Sequence, residues 1–270
     1  MEKQIKSTKP NIIANPELTF QVAISGVLEK YQCQHLCTEY DSDVTIKNSW
    51  VQYLEFNGGK LVINERSFIN TLDIIRTSDY IKDCYKDIVI GKCRIDQLLA
   101  NGHTSIRIDR GADIDYIRVS ESYRCCTDFC ILNDAHVNVI TIEPNGYICA
   151  SGGKIKTVFA SGVIKISNNT EVDKIYLIHK DACVCIPKYE DKLLTMPSID
   201  EIEGEKGKIY INGNVFISSI DISSRVAVRI NKTAKVTIDH LKINGKVIKG
   251  IKKFIKDHQV SDGDHWLNLI

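Results

Sequence analysis

The chain has 270 residues, of which 43% are apolar, and this length suits one or two domains with a substantial buried core. Its 35 Lys and Arg residues nearly balance its 34 Asp and Glu residues. That balance argues against a nucleic-acid-binding protein, which needs an excess of positive charge to bind phosphates. No segment approaches the ~20 apolar residues of a membrane span, and the charged N-terminus lacks the apolar run of a signal peptide, so a cytoplasmic location is expected.

Residues 1–104 are predicted to form an N-terminal α/β cap region. Residues 1–15 are polar and are expected to be a loosely docked arm, and the apolar spacing over 18–36 fits either a helix or a strand followed by a helix. Residues 44–63 contain one early copy of the repeat described below. A helical insertion is predicted next, because residues 67–81 and 94–100 keep helical apolar spacing and the second stretch ends at Asn-Gly.

The main feature of the chain is a six-residue word that recurs between residues 113 and 186. Its first, fourth and sixth residues are apolar and mostly β-branched, and its other three residues vary. Successive copies begin 23, 18 and 17 residues apart, a spacing typical of stacked repeats that cannot bury an apolar side alone. The copies are Ile114–Val119, Val137–Ile142, Ile155–Ala160 and Val172–Leu177.

The word predicts one strand, with its fourth and sixth residues pointing inward and its first residue filling a corner before the strand. A turn and a second β-rich segment follow, so each coil is predicted to contain two strands. Stacked coils give a mainly β fold, a parallel β-solenoid over residues 105–248. An antiparallel meander is the alternative, since short strands separated by turns also suit a sandwich.

One further segment interrupts this array and another ends it. Residues 188–208 are acidic and are predicted to form a surface loop, after which the word resumes at Ile217 and Ile238. Residues 246–258 carry an apolar stripe at helical spacing with lysines on the other faces, and residues 249–270 are therefore predicted to form a capping helix and tail. The alternative role for this basic helix is contact with an anionic membrane surface.

The ten cysteines, without a secretion signal, are expected to be reduced thiols that pack in the strands. Two clusters have spacings that zinc tolerates, namely Cys33 with His35 and Cys37, and Cys125 with Cys126 and Cys130. Because nothing in the sequence brings the clusters together, packed thiols are the preferred interpretation. No metal or cofactor site is predicted.

The word resembles the strand half of irregular leucine-rich repeats and, more loosely, the coils of parallel β-helices. The likeness covers residues 44–63 and 105–248, but this chain prefers Ile and Val to Leu and lacks the Asn that normally follows the strand in that family. The resemblance implies a solenoid of a kind that usually binds other proteins, and no residue role carries over. The Ile-, Lys- and Asn-rich composition is similar in style to bacterial and phage proteins.

The third and fifth residues of each word point outward and form a ladder of aromatic and charged side chains, which suits protein recognition. The predicted partner-binding residues are Tyr116, Arg118, Phe159, Tyr176, Asp221 and Lys242. The acidic loop, Glu190–Glu205, is a second predicted contact for a basic partner.

Catalytic motifs are not evident, since the sequence has no phosphate-binding Gly loop, no Gly-x-Ser-x-Gly elbow and no His-Glu-x-x-His. Most Asp residues of the array fall singly on each coil, and the Asp262–His265 segment is interpreted as a terminal turn. The preferred function is a non-catalytic scaffold that binds another macromolecule, most plausibly a protein. The alternatives are an enzyme acting on a carbohydrate or another polymer and an effector bound to a membrane surface.

Overall fold

The computed structural model describes residues 3–5, 20–23, 25–39, 42–57, 59–74, 86–101, 104–120, 129–131, 135–188 and 195–261. Within them the chain forms 26 strands and one helix. In chain order these are β1 (Lys3–Ile5), β2 (Phe20–Ala23), β3 (Gly26–Glu29), β4 (Gln32–Thr38), β5 (Asp43–Lys47), β6 (Trp50–Phe56), β7 (Lys60–Asn64), β8 (Ser67–Ile74), β9 (Lys86–Ile90), β10 (Cys93–Asn101), β11 (Thr104–Ile108), β12 (Asp113–Ser120), β13 (Phe129–Ile131), β14 (His136–Ile142), β15 (Tyr147–Ala150), β16 (Gly153–Ala160), β17 (Val163–Ile166), β18 (Thr170–Leu177), β19 (Cys183–Ile186), β20 (Ser198–Gly204), β21 (Gly207–Ile211), β22 (Val215–Ile222), β23 (Val226–Asn231), β24 (Val236–Ile243), β25 (Lys246–Val247), α1 (Ile251–Asp257) and β26 (Gln259–Val260).

The strands alternate between two sheets. The even-numbered strands β2 to β24, with β1 and β25, form a first sheet of 14 strands, and the odd-numbered strands β3 to β23, with β26, form a second sheet of 12. Neighbouring strands pair in parallel along both sheets, except that β25 pairs antiparallel to β24. The prediction of a parallel β-solenoid is therefore confirmed. Each coil returns through a strand, whereas leucine-rich repeats return through a helix or 3₁₀ turn.

A dry apolar core lies between the two sheets, and the six-residue word supplies one wall of it. Ile114, Ile117 and Val119 of β12 are 0%, 0% and 2% exposed, while Ile164 and Ile166 of β17 in the opposite wall are both 0% exposed. Because the strands stack in register, the same word position falls in the same row of the core on successive coils.

The first residue of each word lies inside the strand, so the predicted corner position is wrong. Ile114 pairs in the first sheet with Ile95 on one side and Val137 on the other. The interruption of the alternation comes one residue later, because Asp115 and Tyr116 both lie outside the core. The three inward residues of this strand are therefore spaced by three and then two residues, instead of by two throughout.

Two stretches predicted as helices are strands of the first sheet. Ser67–Ile74 is β8 and Cys93–Asn101 is β10, and each carries a full copy of the word. The first and fourth word residues, such as Ile69 and Leu72, have the i, i+3 spacing of a helix face, so periodicity alone misassigned them. The remainder of the predicted helical insertion, residues 75–85, lies outside the described residues.

The described part of residues 18–36 is likewise extended. It forms β2, β3 and most of β4, and Cys33, Leu36 and Thr38 occupy the inward word positions there. Lys3–Ile5, predicted to be part of a loosely docked arm, pairs with β2 as β1. The residues of this cap region that the structure describes contain strands and no helix.

The predicted acidic loop is largely a repeat. Ser198–Gly204 is β20 in the first sheet, and Gly207–Ile211 is β21 in the second. Ile199 and Ile202 fill the first and fourth word positions, both 0% exposed, while the sixth is Gly204. The glycine at an apolar position concealed this copy from sequence inspection. Residues 189–194 of the predicted loop lie outside the described residues.

The C-terminal end is covered as predicted, although the helix is shorter. Lys246–Val247 turns back along β24 as β25, α1 follows, and Gln259–Val260 then pairs with β23 as β26. Phe254 of α1 is 8% exposed and joins the hydrophobic core. Together β25, α1 and β26 lie over the last coil and cover open strand edges that would otherwise promote aggregation. None of the helical segments that the structure describes is long and apolar enough to cross a bilayer.

Candidate functional site

Two rows of outward side chains run along the first sheet. We call them the third-position column and the fifth-position column, after the word positions that supply them. Strand pairing places the following third-position residues in register: His35, Tyr53, Thr71, Gln97, Tyr116, Val139, Thr157, Lys174, Glu201, Ser219 and His240. The fifth-position column contains Cys37, Glu55, Asp73, Leu99, Arg118, Thr141, Phe159, Tyr176, Glu203, Asp221 and Lys242.

An aromatic stack lies in the middle of the array. Phe159 and Tyr176 are register neighbours in the fifth-position column, and their ring centroids are 5.0 Å apart with planes inclined by only 6°. This distance is close to the ~4.8 Å separation of adjacent strands, so the sheet itself imposes the stacking. Both rings are half-buried.

A charged group continues the stack toward the C-terminus. The Lys174 ammonium lies 2.8 Å from Glu201 Oε2, 2.8 Å from Glu203 Oε1 and 4.8 Å from the centroid of the Tyr176 ring. Hydrogen bonds to the two carboxylates raise the pKa of Lys174, and the hydrogen bond from Lys174 lowers the pKa of Glu201. Lys174 and Glu201 are therefore both ionised at neutral pH.

Ion pairs also lie on the two sides of this centre. Arg118 donates from Nε to Glu143 Oε1 at 2.7 Å, and a second guanidinium nitrogen bonds to the same oxygen. On the C-terminal side, Lys242 Nζ lies 3.6 Å from Asp221 Oδ2. These pairs are solvent-exposed, so they fix side-chain positions more than they stabilise the fold.

All six predicted partner-binding residues point away from the core on this one face, but they do not form a single cluster. Phe159 touches Tyr176, and Asp221 pairs with Lys242, while β14 separates Arg118 from Phe159 and β20 separates Tyr176 from Asp221. Tyr116 stands in the neighbouring column. Their binding role stays a prediction.

Glu201 and Glu203 also belong to this face, although the sequence pattern placed them in a loop. They join the two halves of the array, because β20 lies between β18 and β22. The sequence Ile199-x-x-Ile202-x-Gly204 would have identified this copy of the word if glycine had been accepted at the sixth position.

A second polar cluster lies nearer the N-terminus on the same face. The Tyr53 hydroxyl donates to Asp73 Oδ2 at 2.6 Å, and burial followed by this hydrogen bond raises the pKa of Tyr53. Cys37 Sγ lies 3.5 Å from Glu55 Oε1. The other carboxylate oxygen of this residue, Glu55 Oε2, lies 3.6 Å from His35 Nε2. Cys37 Sγ also accepts a hydrogen bond from Asn57 Nδ2 at 3.2 Å.

The first cluster with zinc-compatible spacing, Cys33 with His35 and Cys37, is not arranged as a metal site. Cys33 is an inward word residue with 2% exposure, whereas Cys37 stands on the outer face, so the sheet separates the two thiols. Across the described residues, no group of three or more potential ligands is arranged to hold a metal ion. The side chains of the second cluster, Cys125, Cys126 and Cys130, lie outside the described part of the structure, as does the Asp262–His265 segment.

The cysteines whose side chains are described carry free thiols. They are Cys33, Cys37, Cys93, Cys149, Cys183 and Cys185. Burial raises the pKa of Cys33, Cys93 and Cys183 to about 12 each, and it also raises the pKa of Cys185. These four thiols are packing groups and are protonated at neutral pH.

Asp115 of β12 is held in a polar network. Asp115 accepts from Asn138 Nδ2 at 2.7 Å and from an Arg94 guanidinium nitrogen at 3.0 Å. Arg94 also pairs with Asp96 at 3.3 Å. The bonds from Asp115 to Asn138 and Arg94 join β12 to the strands on both of its sides, as cross-strand pairs do in any sheet.

Comparison of the chain with protein-family models, with curated proteins and with solved structures finds no match.

Proposed function

We propose that the protein is a non-catalytic recognition scaffold that binds another protein on the outer face of its first sheet. The aromatic stack of Phe159 and Tyr176, held beside the Lys174 ion pairs, is the observation that carries this proposal. Aromatic and charged side chains supply most of the binding energy in protein interfaces.

Rigidity supports the same proposal. The backbone of each strand in this face is hydrogen-bonded to strands on both sides, and the inward residues below it, such as Val158 and Ile175, are fully buried. Side chains that are already ordered by stacking and ion pairing lose little conformational entropy when a partner binds. A fixed array of this kind favours binding without a large rearrangement.

A polymer-active enzyme is the second candidate, and the shared contact of Glu201 and Glu203 with one ammonium favours it. Two neighbouring carboxylates are the usual equipment for glycoside hydrolysis, but one of them must have a raised pKa to act as the acid. Glu201 has a lowered pKa instead, because Lys174 donates to it. This lowered pKa makes Glu201 unsuited to the role of the acid.

The proposed membrane role of the C-terminal helix has weaker support. The apolar face of α1 is engaged with the core through Phe254, and Ile251 and Ile255 pack against it. An interfacial helix would need that face for the lipid.

The test is affinity capture from cells that make the protein, followed by titration of the purified captured protein. Phe159→Ala and Tyr176→Ala should each raise the Kd about 30-fold or more, since a truncated hot-spot aromatic costs at least about 2 kcal/mol. Neither variant should change the melting temperature appreciably. Lys165→Ala, on the outer face of the second sheet, is the matched control and should leave the Kd unchanged. Undiminished affinity in both aromatic variants would overturn the proposal.

The enzyme alternative has its own test. Purified protein is incubated with a panel of plant, fungal and bacterial polysaccharides, and released reducing ends are measured for the wild type and for Glu201→Gln and Glu203→Gln. Turnover that both substitutions abolish would replace the scaffold proposal. No release by the wild type would leave binding as the function.

A further inference from the structure

The C-terminal end of the solenoid concentrates positive charge. Residues 225–257 contain ten Lys and Arg residues against two Asp residues and no Glu, a net charge of +8. Because the whole chain sums to +1, all other residues together sum to −7. Each of the ten cationic side chains is exposed. The near balance of charge in the whole chain therefore conceals a strongly basic end.

Most of these cations are not neutralised by a neighbour. Arg225 and Lys242 pair with carboxylates, and Arg229 lies 5.7 Å from the centroid of the Tyr210 ring. The other seven are all lysines, and none of them has an ion-pair partner among the residues that the structure describes. Two lie in the turn between β23 and β24, and five lie within residues 246–256. These charges remain available to an anionic ligand.

The segment over the last coil turns its lysines outward. Ile251, Phe254 and Ile255 of α1 pack against the core, so the helical period leaves the other faces of α1 to its three lysines. Two more lysines stand at residues 246 and 249, in β25 and in the turn that precedes α1. We call residues 246–256 the basic cap. Because it lies over the last coil, the basic cap is an end surface of the solenoid.

An apolar side chain stands among these charges. Val247 is 69% exposed, more than any other large apolar residue that the structure describes. It pairs with Lys242 across the hairpin of β24 and β25. The hairpin turn, Asn244-Gly245, has φ angles of 50° and 73°, as a tight type I′ turn requires. The backbone therefore holds Val247 in place at this basic end.

An anionic lipid surface matches both features, because its headgroups attract lysines and its acyl boundary accepts an apolar side chain. A nucleic acid matches only the charge. The seven unpaired cations include no Arg, the residue whose planar fork fits phosphates best. Within the described part of this end, the single Phe, Tyr or Trp is Phe254, which is buried and cannot stack on a base. The chemistry of the surface therefore favours lipid.

We propose that the basic cap docks the solenoid end-on to an anionic phospholipid bilayer. The apolar face of α1 stays in the core, so lysine charges and Val247 make the contact and the helix does not insert. Coils more than two strand spacings away lie beyond the Debye length of about 8 Å at physiological salt, so their acidic excess is largely screened from the bilayer. This docking leaves the outer face of the first sheet free, and the inference goes beyond the proposed function without depending on it.

The test is co-sedimentation of the full chain with unilamellar vesicles. One set contains phosphatidylcholine alone, and the other contains about one third phosphatidylglycerol, an anionic lipid. The protein should sediment only with the anionic vesicles. Binding should be lost when the salt is raised from about 0.1 M to about 1 M, because the Debye length falls from about 10 Å to about 3 Å.

Two variants test the contact itself. Lys249→Gln combined with Lys253→Gln and Lys256→Gln should lower the partition constant about a hundredfold, since each lysine near an anionic surface contributes about a factor of five. Val247→Ser should lower it about threefold or more, because an apolar contact is lost. Melting temperatures verify that both variants keep the fold.

The matched control removes the same charge elsewhere, by Lys60→Gln combined with Lys92→Gln and Lys180→Gln, three lysines that are also exposed. It should bind anionic vesicles like the wild type. Equal sedimentation with both vesicle types, or an equal loss in the control and the cap variant, would overturn the inference. A DNA duplex or an acidic polypeptide bound more tightly than the anionic vesicles would overturn it as well, since the surface would then serve another class of polyanion.

Discussion

Leu177 occupies the space that a side chain at residue 204 would need. A β-carbon added to Gly204 would come within 2.7 Å of Leu177 Cβ on the adjacent strand, a distance that real β-carbons do not adopt. The missing side chain in β20 is therefore compensated by a large neighbour in β18. This pair explains how a copy of the word functions with glycine at an apolar position.

Gly204→Ala should lower the free energy of unfolding by about 1–3 kcal/mol, because overpacking forces a backbone or rotamer shift. Urea unfolding followed by circular dichroism measures the change. Leu177→Gly in the same chain removes the β-carbon that makes this contact and should recover part of the loss, giving a favourable coupling in a double-mutant cycle. Gly250→Ala is the control, since its nearest neighbour lies 3.8 Å away, and it should change stability by no more than about 0.5 kcal/mol. Additive effects at residues 177 and 204 would contradict the packing argument.

Ile140→Asp should unfold the array, because Ile140 is fully buried between the sheets and an unpaired charge there costs several kcal/mol. Thr141→Asp is the matched control, one residue further on and facing outward, and it should retain the far-ultraviolet β-spectrum and cooperative unfolding. The measurement is the melting temperature of both variants and of the parent chain. A parent-like melting temperature for Ile140→Asp would show that its side chain is not inward.

The fold was predictable wherever the word is filled with β-branched residues. Val137–Ile142 and its neighbours were read correctly, since Ile and Val both mark strands and fill the narrow core. The copies in β8, β10 and β20 were missed. There the local sequence favours a helix or a loop, and only stacking on neighbouring coils decides the conformation. A single segment of sequence contains no information about this stacking, so its conformation could not be predicted from the segment alone.

The candidate site was predictable to a similar extent. Word positions alone placed Phe159 and Tyr176 outward in one column, because parallel register keeps equivalent positions adjacent. The contact of Lys174 with Glu201 and Glu203 could not be predicted while β20 was assigned to a loop.

Alkaline pH should destabilise the protein partly through its buried thiols. Burial raises the pKa of Cys93 from 9.0 to about 12 in the folded state. Because the folded pKa lies above the unfolded one, the stabilisation is complete below about pH 9 and is lost as the pH rises toward 12. Between pH 8 and 10 this thiol should remove about 1 kcal/mol of stability. The measurement compares the pH dependence of urea unfolding in the wild type and in Cys93→Ala.

Cys93→Ala should be less stable at pH 8 through lost packing, and the gap to the wild type should narrow as the pH rises. Equal pH dependence in the two proteins would show that the Cys93 thiol does not change its pKa on folding. Cys149→Ala serves as a control for removal of a cysteine that is not fully buried.

The ionised state of Glu201 should depend on Lys174. The hydrogen bond from Lys174 lowers the pKa of Glu201, so Lys174→Met should raise it. Carbon-13 NMR titration of the glutamate carboxyl groups measures the pKa directly, with Glu201→Gln identifying the resonance. Lys154→Met is the matched control, since Lys154 pairs with Glu171 at 2.6 Å and its substitution should leave the pKa of Glu201 unchanged.

A folded carboxyl whose pKa is lowered stabilises the protein above its unfolded pKa, so the wild type should lose more stability than Lys174→Met as the pH falls through the acid range. An unshifted Glu201 resonance in Lys174→Met would show that the ion pairs do not hold this carboxylate in its charged form, and the electrostatic argument against acid catalysis on this face would then fail.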